Sequence, residues 1–122
     1  MTSMKDVRTL NVWERGNRLT LAVYKATAKF PRDELYGLTS QIRRSCVSVP
    51  VNIAEGCGRG SDADLARFLQ MAVGLASELE YHSLLAGELG LFEDADREYL
   101  IEEITEVKRM LASFIKKLKA EG

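Results

Sequence analysis

The chain of 122 residues has two cysteines, two prolines and one histidine. Each shortage excludes something. A single histidine cannot supply the two Glu-x-x-His motifs of a di-iron helical bundle. Cys46 and Cys57 cannot make a disulfide framework, and in a reducing compartment two thiols are expected. No uninterrupted apolar run approaches the length of a membrane-spanning helix, and Met1 to Arg8 lacks the apolar stretch of a signal peptide, so a soluble, cytoplasmic protein is expected. Sustained strand alternation, internal repeats and low-complexity tracts are also missing. A chain of this length fits one domain, which buries roughly two-thirds of its unfolded surface without a metal or a disulfide.

What is present is helical periodicity. A first segment, about residues 11–29, carries Val12, Gly16, Leu19, Val23, Ala26 and Phe30 at steps of three and four, and Pro31 stops it. The connection from Pro31 to Gly37 has room for a short turn at Asp33 to Tyr36, with Leu35 and Tyr36 packing it down. A second segment spans about 38–57. Gly56-Cys57-Gly58-Arg59-Gly60 ends it, and Ser61 with Asp64 three residues later starts the third, about 62–89, as a variant capping box. The core face of the third segment is rich in alanine, and Gly74 is expected to permit close approach. The fourth segment, about 95–119, has acids at its beginning and lysines at its end, in keeping with the helix dipole. Four helices with short connections predict an all-α, up-and-down antiparallel four-helix bundle.

Formal net charge is −1, but it is unevenly spread. Residues 1–60 carry ten Lys/Arg against five Asp/Glu, and residues 61–122 carry seven against thirteen. Such a chain can attract an acidic partner to one face or associate with copies of itself, positive against negative. It lacks the strongly basic balance of a nucleic-acid coat protein.

The second segment is the most informative. Leu38, Ile42, Cys46, Val49 and Ile53 form an apolar stripe, while Gln41, Arg44, Ser48, Asn52, Glu55 and Arg59 form a continuous polar one. Pro50 lies between them and costs about 3 kcal/mol in a regular helix interior. Because the apolar stripe keeps its phase past Pro50, a continuous helix kinked there is predicted rather than a break and restart, with the Ser45 or Ser48 hydroxyl helping to satisfy freed backbone groups. Folding the chain near residue 59 brings Glu78 level with Arg44 and Arg67 level with Glu55. Two cross-helix ion pairs, Arg44 with Glu78 and Glu55 with Arg67, would then set register.

No catalytic constellation emerges. Glu78 and His82 share a helical face, but the sequence announces no further ligands for a metal. The turn from Gly56 to Ser61 lacks both the Gly-Lys-Ser/Thr ending and the preceding strand of a phosphate loop. Ser45, Ser48 and Ser61 have no histidine within sequence reach, and neither has Cys57. The competing functional class is a metal- or small-ligand-binding bundle, even an enzyme, that uses Glu55, Glu78 and His82 in a cleft.

Phe30-Pro31, Tyr36 to Arg44, Val47 to Gly56 and Gly58-Arg59 closely resemble the bacterial family called four helix bundle protein, which includes proteins encoded in intervening sequences of large-subunit ribosomal RNA genes. Arg67-Phe68-Leu69, Ala72, Gly74, Ser77 to Glu80 and Leu89-Gly90 extend the match over nearly the whole chain. The resemblance implies a ring, with a homopentamer the form known among relatives, and more distantly a likeness to the accessory proteins of diversity-generating retroelements. The expected function is a non-enzymatic scaffold or adaptor without cofactor or metal, associated with RNA or a ribonucleoprotein through Arg43, Arg44 and Arg59. The polar stripe Gln41, Arg44, Ser48, Asn52 and Glu55, with Arg67 and Glu78, is expected to set register or form the ring contact.

Overall fold

The structure, a computed structural model, describes residues 10–121. Four helices account for it: α1, Asn11–Thr27; α2, Leu38–Cys57; α3, Asp62–Glu88; and α4, Asp94–Glu121, with a 3-10 turn at Arg32–Glu34. No strand occurs among the described residues. Each helix packs on its sequence neighbours and α4 closes the bundle against α1, giving the all-α four-helix bundle that the periodicity predicts.

The boundaries follow from local chemistry. Ser61 adopts extended backbone and its Oγ accepts from the Asp64 amide at 3.2 Å, one half of a capping box. The Asp64 carboxylate turns to Arg67 instead, at 3.5 Å. At the other end of α3, Gly90 takes φ +75°, and the amides of Leu91 and Gly90 donate to Ala86 and Gly87 at 2.9 and 3.0 Å, a Schellman ending. α4 begins with Asp94 and Asp96 and has Lys119 in its last turn.

The core is contributed by all four helices. Leu19, Ile42, Ile53, Leu69, Leu79, Leu100, Ile104 and Leu111 are fully buried, each contributing on the order of 1.5–3 kcal/mol by removal from water. Cys46 and Cys57 are both buried and no disulfide joins them. Burial pushes the Cys46 thiol up to about 11, while its contact with Thr20 Oγ1 acts the other way.

Three local expectations fail for identifiable reasons. α2 runs without interruption through Pro50, as predicted, but the serines do not answer the carbonyl of Cys46 that the proline frees. Ser45 Oγ donates to the carbonyls of Gln41 and Ile42, and Ser48 Oγ to that of Arg44, because a serine in a helix reaches only three or four residues back. The close approach of α2 and α3 occurs at Gly56, where an added Cβ would lie 2.9 Å from Phe68 Cβ and 3.3 Å from Leu65 Cα. Gly74, by contrast, is exposed with nothing within 4 Å of its would-be Cβ. Finally, Leu35 and Tyr36 do not pack the first connection down. They stand 43% and 94% exposed, and Phe30 anchors the connection by edge-on contact with Phe92, centroids 4.8 Å apart.

Candidate functional site

The polar stripe of α2 faces outward. Gln41, Arg44, Glu55 and Arg59 are exposed, and Ser48 and Asn52 are half-buried. Two of its members turn onto their own helix: Ser48 Oγ donates to the Arg44 carbonyl and Asn52 Nδ2 to the Ser48 carbonyl, both at 2.7 Å. The centre of the stripe is therefore internally satisfied, and its free hydrogen-bonding capacity lies towards one end, at Gln41 and Arg44.

The arginines divide into different roles. Arg43 is a structural tie: Nε donates to Thr27 Oγ1 at 2.8 Å, Nη2 donates to the Tyr24 carbonyl at 3.3 Å, and the guanidinium sits 4.6 Å from the centre of the Tyr24 ring. That places a cation at the C-terminal end of α1, where the helix dipole favours it. Arg44, one residue on, is exposed, and its side chain forms no hydrogen bond or ion pair among the described residues. Arg59 lies 3.8 Å from Glu55 and stacks 5.0 Å from the Phe68 ring centre. Arg67 approaches the same ring at 4.6 Å. Phe68 thus holds two guanidiniums beside the α2–α3 turn.

Neither predicted cross-helix ion pair forms. Glu55 pairs with Arg59 and Arg67 with Asp64, both within one turn of helix, while Arg44 and Glu78 remain exposed without an ionic partner among the described residues. Pairs at i,i+3 and i,i+4 need only a choice of rotamer, whereas a pair of Glu55 with Arg67 would also have to span the packed seam of Gly56 on Phe68. Register is set there by close packing and by the shared aromatic seat.

The residues of the competing ligand site are not gathered. Gly56 packs against Leu65 and Phe68, which puts Glu55 at that level of α3. Glu78 lies roughly 15 Å farther along the helix at 1.5 Å per residue, and His82 farther still. Among the described residues no group of three or more His, Cys, Asp or Glu side chains could hold a metal ion. His82 sits 5.8 Å from the Tyr81 ring, and its Nδ1 is buried without a hydrogen-bond partner.

The outer surface of α3 beside this stripe was not singled out from the sequence. Met71 and Tyr81 are 46% and 61% exposed on α3, and Val51 is exposed on α2. A separate groove of about 340 Å³ lies between α1 and α2, lined by Trp13, Thr20, Val47, Pro50 and the exposed Val51 among others. Met71, Gly74, Glu78 and Tyr81 do recur at helical spacing, and that is the signal by which the α3 line could have been found. Tyr24 and Thr27, the anchors of Arg43, were legible in the same way, three residues apart at the end of the first segment.

No described helix is long and apolar enough to cross a membrane. No curated protein matches the chain. A solved structure from Bacteroides thetaiotaomicron VPI-5482, titled a protein with unknown function from the S23 ribosomal protein family, is similar to it with a TM-score of 0.79. The two are 24% identical over 86% of this chain and 95% of the other, a likeness that speaks for the fold. The family described as 23S rRNA-intervening sequence protein matches residues 8–113, the span that contains all four helices except the end of the last. The chain belongs to the 23S rRNA-intervening sequence protein family.

Proposed function

We propose that the chain is a non-enzymatic subunit of a cytoplasmic, ring-forming scaffold, a homopentamer, that acts as an adaptor for RNA or a ribonucleoprotein. The observation that carries this is the outward face of α2 and α3. A line of polar groups of both charge signs runs beside exposed Met71 and Tyr81, on a bundle whose own core is complete without them. Mixed polar and aromatic surface of this kind is the material of protein contacts. A head-to-tail contact between unlike surfaces closes into a ring when its rotation permits, and the unequal charge of the two halves of the chain suits such a contact. For RNA, Arg43 drops out as a contact because it is committed to Tyr24 and Thr27. Arg44, which has no partner among the described residues, and Arg59, whose pair with Glu55 is long and exposed, are the side chains for phosphate.

Light scattering on the purified protein is expected to return five times the chain mass; a monomer at micromolar concentration rejects the ring. Binding to RNA is expected to weaken with added salt, and to weaken again in Arg44→Ala and Arg59→Ala. Binding that is unchanged in both variants rejects the RNA role of these arginines.

A further inference from the structure

The end of the bundle that carries the α1–α2 and α3–α4 connections is built unlike the rest of the surface. Its backbone is fixed. Glu34, Leu35 and Gly37 donate amide hydrogen bonds to Pro31, Arg32 and Glu34 at 3.0–3.1 Å, and Glu34 Oε1 accepts from the Leu38 amide at 3.2 Å. The second connection is held by the Schellman ending at Gly90, and Phe30 on Phe92 clamps the two connections together. On this hydrogen-bonded base three large apolar side chains are exposed: Tyr36 at 94%, Leu89 at 59% and Leu35 at 43%.

The charge around them is predominantly negative. Residues 28–37 and 88–98 carry seven carboxylates and three cations. One cation, Lys29, is already held by Glu93 and Asp96 at 3.5 and 3.3 Å, a second, Arg97, folds across Gly87, and the third, Arg32, is exposed next to Asp33 in sequence. Asp33, Glu88, Asp94 and Glu98 have no cationic partner among the described residues. Asp94 and Asp96 serve the start of α4, and Asp33 and Glu34 lie in the first turn of the 3-10 helix, but Glu88 and Glu98 serve no helix start.

From this we infer that the connection end of the bundle is a docking surface for a second protein, through a basic segment or patch that receives the Tyr36, Leu35 and Leu89 tip. Apolar anchors held in place before binding lose little entropy when they dock, and tyrosine is among the residues that dominate such contacts. The excess of carboxylates selects a Lys/Arg-rich partner and repels nucleic acid, which places this contact apart from Arg44 and Arg59.

The test uses two short peptides with the same leucine and tryptophan content, one with lysine and one with glutamate at the remaining positions, titrated into the full-length protein while backbone amide shifts are followed by NMR. The lysine peptide is expected to move amides of residues 31–37 and 88–98, and the glutamate peptide to move none. The double variant Tyr36→Ser/Leu89→Ser is expected to keep the melting temperature, since both side chains are exposed, and to lose about tenfold in affinity. Shifts that map elsewhere, equal binding of the glutamate peptide, or unchanged affinity in the double variant overturn the inference, the last because attraction to the carboxylates alone would then account for binding. Light scattering on the same samples separates the remaining occupant: if the double variant reduces the mass of the assembly, the end is a contact between copies of this chain and the inference fails.

Discussion

Two helix contacts in this bundle are built from different materials. Between α2 and α3 the helices touch through Gly56 against Phe68 and Leu65, the neighbouring Ala72 and Ala76 of α3 are fully buried, and no ion pair crosses the contact among the described residues. Between α1 and α4 the contact is thinner and more polar. Arg15 and Glu103 form a two-bonded pair at 2.9 and 3.1 Å, Lys29 reaches Asp96 beyond the end of α1, and grooves of about 300 and 200 Å³ lie along the seam. The first contact depends on shape and is intolerant of a methyl group. The second depends on charge and is responsive to pH and salt.

The largest expected effect tests the close contact. Gly56→Ala would gain helix propensity in an ordinary helix, but here the new methyl meets Phe68 Cβ and Leu65 backbone. A loss of about 1–3 kcal/mol in denaturant unfolding is expected. A stabilised Gly56→Ala variant would mean that α2 and α3 can move apart at no cost.

The next effect belongs to the seam. The hydrogen bond from Arg15 holds the Glu103 carboxyl below its usual range, with burial opposing and the Arg15 charge adding, and Glu103 in turn raises Arg15. A carboxyl whose folded value is depressed contributes stability above its unfolded value of about 4.3, and that contribution is lost as pH falls through the folded value. Both side chains keep some contact with solvent, 29% and 17%, so screening limits the pair. Glu103→Gln is expected to cost roughly 0.5–1 kcal/mol at neutral pH and to make stability fall less steeply below about pH 4. Identical pH profiles for the variant and the parent would remove the pair from the stability of the seam.

The smallest effect has the opposite sign. Gly74→Ala places a methyl in open solvent on the exposed side of α3. It is expected to stabilise the subunit by roughly 0.5–1 kcal/mol through helix propensity alone. The same substitution at positions 56 and 74 thus gives opposite signs if the packing is as described. For the proposed ring Gly74→Ala adds a further discrimination: lost assembly with a gained melting temperature of the subunit would place the proposed contact on this face of α3.

Much of this was legible in the chain, and the misses have a common cause. Apolar residues at steps of three and four marked the first two helices, Ser61 marked the start of α3, acids and lysines marked the two ends of α4, and the persistence of the apolar stripe past Pro50 correctly kept α2 in one piece. The partners of polar residues were poorly legible. Arg43 and Arg44 are neighbours of identical type, yet one is tied to Tyr24 and Thr27 and the other is exposed, because one residue is 100° of helix and only one of the two points at α1. Gly56 and Gly74 look alike in sequence, and only the neighbour across the contact separates them. Tyr36, expected to pack, stands exposed because Phe30 and Phe92 already fill the space under the connections.

The sequence by itself determined the number of helices, their limits, the faces they bury and the family, since each of these depends on local periodicity and capping that do not require knowledge of a neighbour. Tertiary structure decided which cations are committed and which remain available, where a glycine is required, and that two connections meet through Phe30 and Phe92 at one end of the bundle. Those are properties of distances between segments far apart in the chain, and side-chain reach of a few ångströms makes them turn on the last degrees of helix rotation.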